Sequence, residues 1–489
     1  MNKLESLNFK NRFASLPEIF HSQVIPTPLS RPYLVSFNPD VAALLDLHVD
    51  EAGRADFAAY FTGNRLLPGS VPVSMLYAGH QFGRFVQQLG DGRAILLGEI
   101  ENSDGESWGL QLKGAGVTPY SRSGDGRAVL RSSIREYLCS AAMHGLGIPT
   151  TRALCIVGSD EEVYRESIET AAIVTRVAES FVRFGSFEVF YYRGQHQQVA
   201  ELADFLILHH YPHLQQMEDR YSCLLREITV RTARLIAQWQ AVGFAHGVMN
   251  TDNMSVLGET LDYGPFGFME AYDPSFICNH SDHGGRYAYD QQPYIGQWNL
   301  SALAQAMSPI VPQQEAGDII ASYGDIFAEH YVQLMCAKLG VKFRGLEDFS
   351  LIGPLLEMMR ESRVDYTNFF RGLGNFKSAD GEINAMLRDQ FINREAFDAW
   401  SVNYSARLRE DGLSDVQRKS GMDKVSPKFI LRNYLAQVAI EKVEKHRDFS
   451  EIDRLLSLLR SPFDEHPEFA GYTIPAPAWA RNLEVSCSS

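Results

Sequence analysis

The pattern of apolar residues changes near residue 200, and this change constrains the fold more than any other feature of the 489-residue sequence. Before it, short apolar runs such as RAILLGEI (93–100) and WGLQLK (108–113) lie between glycines, which is typical of strands and tight turns. After it, apolar residues recur at helical spacing, most clearly from Tyr221 to Val242. A β-rich half followed by a helical half predicts an α+β protein with two lobes and a cleft between them.

Two further elements are predicted inside the β-rich half. Apolar residues recur four apart from Leu130 to Leu138, which predicts a helix over 127–144 that ends at Gly145. The stretch 152–192 contains ALCIVG, AAIVTRV and FEVFYY, three apolar runs that we expect to be strands.

The overall charge limits the partners of the chain. Sixty acidic residues against 45 basic ones give a net charge of −15, which repels nucleic acid and anionic membranes. No stretch reaches the roughly 18 uncharged apolar residues of a membrane span, and the N-terminus has no apolar signal segment. The six cysteines form no C-x-x-C pair and are typical of thiols in a reducing compartment. We expect a cytoplasmic protein without nucleic-acid or membrane partners.

A local basic stretch stands out against this acidic background. Residues 83–126 hold ten of the 38 glycines, and the loop 114–126 could direct backbone N–H groups at an anion. Residues 107–135 carry one acid, Asp125, and five cations: Lys113, Arg122, Arg127, Arg131 and Arg135. A solvated basic helix face would explain the same charges, so the stretch by itself leaves both interpretations open.

A second motif follows the long predicted helix. It consists of HGVMNTDN (246–253) and, nine residues later, DYG (262–264). Protein kinases have a similar catalytic loop, in which the Asn stands seven positions after the His and an Asp-Phe-Gly follows. Asn and Asp oxygens are suitable ligands for Mg²⁺ bound to nucleotide phosphates. The position of the kinase base is Val248, which cannot accept a proton.

Lys113 and Glu136 extend the likeness to kinases. Lys113 ends a predicted strand, and Glu136 lies on the helix that follows; Lys113 is expected on the polar face of its strand, outside the core. In kinases a strand lysine binds phosphate oxygens and is held by a helix glutamate. A lysine and a glutamate 23 residues apart are weak grounds alone, but the order Lys, Glu, Asn, Asp on suitable elements favours nucleotide phosphate chemistry.

Three nearby features have simpler interpretations. Cys278, His280 and His283 could bind zinc, but no fourth Cys or His stands at zinc-finger spacing, and a loop resembling a kinase activation segment is favoured. His246 is interpreted as a structural hydrogen-bonding residue and Tyr263 as a packing residue.

Long strings of the sequence resemble the selenoprotein O family, and the likeness covers nearly the whole chain. The strings are YAGHQFG (77–83), QLGDGRAILLGE (88–99), the segment 110–154, SFVRFGSFE (180–188), HGVMNTDNMS (246–255), DYGPFGFME (262–270), WNLSALAQA (298–306), FILRNYLAQVAIE (429–441) and the terminal CSS. A near-continuous match of this length is far more specific than any short motif.

The resemblance implies a protein-kinase-like bilobal fold and a different reaction from that of kinases. The family adenylylates proteins: it moves AMP from ATP to Ser, Thr or Tyr hydroxyls, with Mg²⁺ or Mn²⁺, and binds the nucleotide flipped relative to kinases. The expected division is an N-terminal extension packing on the lobes (1–75), a β-rich nucleotide-binding lobe (76–195), a helical lobe with the catalytic and metal loops (196–319), and a C-terminal helical extension with a redox-capable tail (320–489).

The resemblance also assigns roles to residues. The residues implied to bind the nucleotide are Lys113 supported by Glu136, Gly90, Gly92 and Arg93 of the glycine-rich loop, Asp125 and Gly126 of a second loop, Arg176 and Arg183 on the phosphate tail, and Asp262. Asn253 and Asp262 are implied as metal ligands, and Asp252 as the proton acceptor. Asp252 could instead only cap its loop.

The terminal cysteine carries a last implication. Some members of the family have selenocysteine at the third position from the end, where this chain has Cys487. A disulfide with Cys278 would tie the tail across the cleft, although an unpaired terminal thiol is equally compatible with the sequence.

Two other functions remain open from the sequence. One is an ordinary phosphotransferase, against which the missing base at Val248 counts. The other is an inactive nucleotide-binding scaffold, against which the presence of both Asn253 and Asp262 counts.

Overall fold

A computed structural model describes residues 1–379, 381–480, 483 and 485 of the chain. Its strands are β1 (His21–Gln23), β2 (Tyr33–Phe37), β3 (Val73–Met75), β4 (Gly79–Gln81), β5 (Arg84–Val86), β6 (Ala94–Glu101), β7 (Ser107–Lys113), β8 (Ala128–Val129), β9 (Arg152–Tyr164), β10 (Ile168–Ala178), β11 (Phe244–Ala245) and β12 (Gly267–Phe268). Within that part of the chain, no helix is both long and apolar enough to cross a membrane.

One antiparallel sheet dominates the first half. It has eight strands in the order β1-β3-β6-β7-β10-β9-β2, with β8 paired to β10. In β7 the side chains alternate between the two faces, as the sequence predicts. Leu110 and Leu112 pack into an apolar cluster with the N-terminal segment, whereas Lys113 reaches Glu136 on the opposite face. The alternation therefore directs a lysine toward the first long helix.

The α-helices lie mostly in the second half of the chain. They are α1 (Pro39–Leu44), α2 (Phe57–Tyr60), α3 (Leu130–Gly145), α4 (Phe184–Tyr192), α5 (His196–His210), α6 (Arg220–Val242), α7 (Gln292–Ala306), α8 (Gln313–Ala321), α9 (Tyr323–Leu339), α10 (Phe349–Ser362), α11 (Tyr366–Leu373), α12 (Ala385–Arg388), α13 (Arg394–Asp411), α14 (Asp415–Met422), α15 (Asn433–His446) and α16 (Ser450–Arg460). The predicted mixture of a β-rich first half and a helical second half is confirmed.

The long helix α6 leads directly to the loop 246–253. Its buried stripe includes Leu225, Ile228, Leu235 and Trp239, as the helical spacing predicts. The helix ends at Gly243, whose φ of +72° is a left-handed conformation that glycine adopts without strain.

One element type and one boundary differ from the prediction. The run FEVFYY lies in α4, and its strand assignment was wrong. Apolar residues at 184, 187, 189 and 190 are buried on several sides of α4, so the run lacks the polar face that marks a surface helix. The helix α3 begins at Leu130 and not at Arg127, because Ala128 and Val129 pair with β10 as a short strand.

Candidate active site

The predicted site residues gather in one cleft of about 820 Å³. It lies between the loop ends of the sheet and the loops that follow α6. Ten of the twelve predicted residues line it: Gly90, Gly92, Arg93, Lys113, Asp125, Gly126, Arg176, Asp252, Asn253 and Asp262. The other two, Glu136 and Arg183, are buried behind the lining. Glu136 binds the lining residue Lys113, and Arg183 binds the lining residue Asp262. Residues up to 172 positions apart in the sequence thus share one site.

A buried network of charges connects the sheet with α3. Lys113 Nζ lies 2.5 Å from Glu136 Oε2, and Arg176 Nε on β10 binds the other oxygen of the same carboxylate. Burial lowers the pKa of Lys113 to about 8. Burial favours the neutral form of Glu136, but the charges of Arg176 and Lys113 outweigh it and lower the pKa of this carboxyl. The expectation that Lys113 stays outside the core was wrong, because its side chain is only 11% exposed.

Asp262 is held by two arginines. Arg176 Nη2 lies 2.5 Å from Oδ1, and Arg183 Nη1 lies 2.5 Å from Oδ2. Burial opposes ionisation of this carboxyl, but the Arg176 and Arg183 charges prevail and hold its pKa well below the usual range. Asp262 has a φ of +56°, a left-handed conformation that is uncommon outside glycine and is often found at functional sites.

Asn253 and Asp262 together fit a divalent cation. Both line the cleft, and amide and carboxylate oxygens are the hard ligands that Mg²⁺ and Mn²⁺ prefer. Asn253 Nδ2 donates to the carbonyl of Val248 at 2.9 Å, so the amide oxygen is the atom left for a ligand. Among the described residues no group of three or more His, Cys, Asp or Glu side chains is arranged to hold a metal. A cation here would therefore need phosphate and water oxygens to complete its coordination.

Asp252 is a buried carboxylate at the wall of the cleft, one residue before Asn253. Its Oδ2 accepts a hydrogen bond from Gln81 Nε2 at 3.1 Å, and its Oδ1 has no hydrogen-bond partner among the described residues. Burial raises the pKa of Asp252 to about 7, although the Gln81 donor works in the opposite direction. A carboxyl with this pKa can accept a proton near neutral pH.

The first glycine-rich loop bends closely around an aromatic ring. A Cβ added at Gly90, whose φ is +104°, would lie 2.5 Å from Cγ of Tyr120. The Arg93 carbonyl accepts the N–H of Gly114 at 2.6 Å, which ties this loop to the second one. Burial lowers the pKa of the Arg93 guanidinium, and the partly exposed residue lines the cleft, where it could meet an anion.

The second loop is anchored by Asp125. Its carboxylate pairs with Arg165 at 2.8 Å and accepts the N–H of Arg127 at 2.9 Å. The hydrogen bond from Arg165 lowers the pKa of this carboxyl. Gly126, with a φ of +69°, lies so close to Gly116 that a Cβ would be 2.1 Å from its carbonyl oxygen. The carboxylate of Asp125 therefore already serves to hold the loop closed.

Asp91 and Gln81 are among the polar residues of the cleft that sequence reasoning missed. Asp91 is buried between the two loop glycines and accepts hydrogen bonds from Gln111 Nε2 at 3.1 Å and Tyr77 OH at 3.3 Å. Burial raises its pKa to about 6. Gln81 is the donor to Asp252. Both residues lie in strings that carry the family resemblance, which was the available signal for them.

The neighbouring motif residues have structural positions. His246 is buried with Nε2 2.8 Å from the carbonyl of Leu261, and Tyr263 lies in the main apolar cluster, as expected for both. Cys278 is buried and its Sγ donates to the Ala245 carbonyl at 3.4 Å. His280 N–H donates to the carbonyl of Val485 at 3.0 Å, so the tail reaches this segment. Cys487 lies outside the described residues.

This geometry is compatible with several kinds of nucleotide-dependent transferase that have a buried lysine–glutamate pair. Comparison with known sequences identifies the family to which the chain belongs. A family model described as "Protein adenylyltransferase SelO" matches residues 3–460. The chain belongs to the SelO family. All twelve predicted site residues fall inside the region that the SelO model matches.

Relatives match the chain over its full length. A protein nucleotidyltransferase YdiU of Thiobacillus denitrificans is 57% identical over 489 residues, which cover all of both chains. Proteins of the same name from Thioalkalivibrio sulfidiphilus and Myxococcus xanthus are 55% and 54% identical, again over all of both chains. At this level of identity the SelO assignment does not depend on any single motif.

Proposed function

We propose that this chain transfers AMP from ATP to Ser, Thr or Tyr hydroxyls of other proteins with the help of Mg²⁺ or Mn²⁺. As a member of the SelO family it is a nucleotidyltransferase that acts on proteins. The observation that carries the finer proposal is the cluster of Lys113, Arg176 and Arg183 around Glu136 and Asp262. Three buried cations at the base of the cleft suit the terminal phosphates of a nucleotide whose α-phosphate stays nearer its mouth.

The proposed architecture is a kinase-like pair of lobes. The sheet would form the nucleotide lobe (76–195) and α6 with its loops the helical lobe (196–319). Residues 1–75 would pack on these lobes, and 320–489 would form the C-terminal extension. Support comes from the strand lysine paired with a glutamate of α3 and from the loops after α6, which correspond in order to the kinase elements.

The nucleotide would be held by two kinds of contact. Lys113, Arg176 and Arg183 would bind the β- and γ-phosphates, which leave together as pyrophosphate. The backbone of the loops with Gly90, Gly92 and Arg93 and with Asp125 and Gly126 would border the rest of the nucleotide. Each guanidinium group provides two parallel donors, which fix the orientation of a phosphate. The point charge of a lysine fixes this orientation less well.

Asn253 and Asp262 would hold the divalent cation. When bound, the cation neutralises phosphate charge and orients the phosphate chain. Asp262 would exchange part of its pairing with Arg176 and Arg183 for this ligand, and those arginines would then turn to the phosphates. Asp262, Arg176 and Arg183 would therefore have charged partners both without nucleotide, when they pair with each other, and with nucleotide, when they bind the metal and the phosphates.

Asp252 would accept the proton of the acceptor hydroxyl. As the hydroxyl oxygen forms its bond to the α-phosphorus, the bond from that phosphorus to the pyrophosphate oxygen breaks, and the proton passes to the carboxylate. Val248, at the kinase base position, lines the same cleft but offers no acceptor. The base would thus lie where a flipped nucleotide needs it.

Intact-mass spectrometry tests this function. Incubation of the chain and α-casein with ATP and Mg²⁺ or Mn²⁺ should add AMP to a protein, and chelation of the metal or Asp252→Ala should reduce the added fraction by about a hundredfold or more. A gain of phosphate would instead favour a kinase, and no gain in either protein would favour the nucleotide-binding scaffold.

Partners and location follow from the same proposal. Protein acceptors are expected, and the charge of −15 leads us to propose no nucleic-acid partner. The low cysteine content, typical of a reducing compartment, favours a cytoplasmic location. A disulfide between Cys278 and Cys487 stays a prediction, because Cys487 lies outside the described residues. Peptide mapping of the oxidised protein would detect the cross-linked pair.

A further inference from the structure

The hairpin formed by β4 and β5 (79–86) packs directly on the loop that contains Asp252. The N–H of His80 donates to Thr251 Oγ1 at 2.6 Å, and the N–H of Phe82 donates to Asn250 Oδ1 at 3.1 Å. These two backbone donors of the hairpin thus meet side chains of the two residues just before Asp252. Such a pairing fixes the position of the loop relative to the sheet.

The N-terminal end of the hairpin is itself anchored to α4. His80 Nδ1 lies 2.5 Å from Glu188 Oε1, a fully buried carboxylate of α4. The N–H of Ala78 donates to the Gly185 carbonyl at 3.0 Å. At Gly79 a Cβ would come within 2.9 Å of Asp252 Oδ1, so the close approach needs a residue without a side chain. The hairpin is therefore a rigid support for Asp252.

Directly after His80, the Gln81 side chain points at the Asp252 carboxylate. Its Nε2 donates to Asp252 Oδ2 at 3.1 Å, and within the described part of the chain no other side chain donates to this carboxylate. Arg183 also contacts Asp252, but it donates to the backbone carbonyl, at 2.8 Å, and not to the side-chain carboxylate. We propose that Gln81 is a positioning residue that fixes the orientation of the Asp252 carboxylate toward the acceptor hydroxyl.

This role of Gln81 rests on the proposed function of Asp252 as the proton acceptor, and it adds that the Asp252 carboxylate must be held in one orientation. A base must lie within hydrogen-bond distance of the proton it takes, and a displacement of about 1 Å can cost about a hundredfold in rate. Within the described residues, Gln81 forms no hydrogen bond with Lys113, Arg176 or Arg183, the cations proposed to bind the phosphates. Its loss should therefore slow the transfer step and leave nucleotide binding unchanged.

The test replaces Gln81 with a residue of similar shape that lacks the donor. With α-labelled ATP and α-casein, Gln81→Met should lower kcat for total protein-bound label about tenfold to a hundredfold, with KM for ATP within twofold of the original. Gln87→Met is the matched control, because Gln87 is exposed and lies outside the hairpin. An unchanged kcat, or a rise in KM without a fall in kcat, would contradict the inference.

A double-mutant cycle separates positioning from general damage. In an Asp252→Ala background, Gln81→Met should cause no further loss of rate, since Gln81 acts through Asp252. Additive losses would show that Gln81 acts elsewhere.

The same four proteins, unfolded in urea, test the contact between Gln81 and Asp252 without any enzymatic reaction. Gln81→Met should lower the urea midpoint of unfolding in the original chain and lower it less in the Asp252→Ala background. Equal shifts in both backgrounds would contradict the contact. If the unmodified chain attaches no α-label, the proposed function fails, and the urea cycle still decides the contact.

Discussion

Arg176 and Asp262 form a largely buried ion pair in which Nη2 of the arginine lies 2.5 Å from Oδ1 of the carboxylate. Arg176 also binds Glu136, and Arg183 binds the second oxygen of Asp262. The carboxylate proposed as a metal ligand is thus neutralised before any cation enters, and its partners are the arginines proposed to hold phosphates. Binding of a metal-bound nucleotide would replace these ion pairs by equivalent ones to phosphate and metal.

Asp262→Ala should abolish transfer and also lower stability. Removal of the metal ligand should slow AMP transfer by more than about a hundredfold. The variant also leaves the Arg183 guanidinium buried without its carboxylate, which typically costs about 3 kcal/mol of the free energy of unfolding. Transfer assays and urea unfolding measure the two effects, with the exposed Asp464→Ala as control. Transfer at near the original rate would contradict the metal-site assignment.

Lys113→Met should lose nucleotide binding and keep most of the stability of the apo protein. Methionine fills a similar volume, and Glu136 retains Arg176 as its partner, so no buried charge is left alone. The measurement is a thermal melt with and without ATP and Mg²⁺, in which the original chain should gain stability from the ligand and the variant should not. An equal ATP-induced gain in both proteins would exclude Lys113 from the nucleotide site.

The local elements of the site could be predicted from single stretches of sequence. Alternation in WGLQLK placed Lys113 on the face opposite Leu110 and Leu112, and the periodicity of α6 placed the loop 246–253 after a buried helix. The prediction failed for FEVFYY because α4 is buried on several sides, and burial removes the polar residues that reveal helical periodicity.

The pairing of the charges could not be predicted in this way. Arg176, Arg183 and Asp262 lie on a strand, at a helix start and on a loop, and only the tertiary fold brings them together. The sequence pattern alone assigned none of these arginines to Asp262; the family resemblance assigned them to phosphates. Asp91 was missed for the same reason, since it lies in a loop and its partners Met75 and Gln111 lie on two different strands, β3 and β7.

Val248→Asp tests the orientation of the nucleotide. This change restores a carboxylate at the kinase base position, on a side chain that lines the cleft. If the γ-phosphate is buried against Arg176 and Arg183, the new carboxylate should create no transfer of γ-label to protein. Val248→Asn is the matched control for the introduced polarity. Transfer of γ-label by Val248→Asp alone would show that the nucleotide binds as it does in kinases.

A buried lysine outside the site should make stability depend on pH. Lys338 on α9 donates to the carbonyl of Ala241 at 2.7 Å, and burial lowers its pKa from 10.5 to about 7. Between these values the unfolded chain binds a proton at Lys338 that the folded chain does not, so this group makes the free energy of unfolding rise with pH. Lys338→Met should remove that rise.

The comparison is made by urea unfolding across this pH range. The stability advantage of Lys338→Met over the original chain should be largest near pH 7 and shrink toward pH 10.5, whereas the exposed Lys342→Met should show no such trend. A difference that does not vary with pH would mean that Lys338 is protonated in the folded protein throughout.

The most direct test of AMP transfer uses ATP labelled at either the α- or the γ-phosphate. Parallel reactions with Mg²⁺ or Mn²⁺ and α-casein are followed by denaturing gels and by the release of pyrophosphate. We expect α-label to become covalently attached to protein with an equal amount of pyrophosphate released, no γ-label on protein, and neither signal from Asp262→Ala. Attachment of γ-label without α-label would contradict AMP transfer and the burial of the terminal phosphate against Arg176 and Arg183.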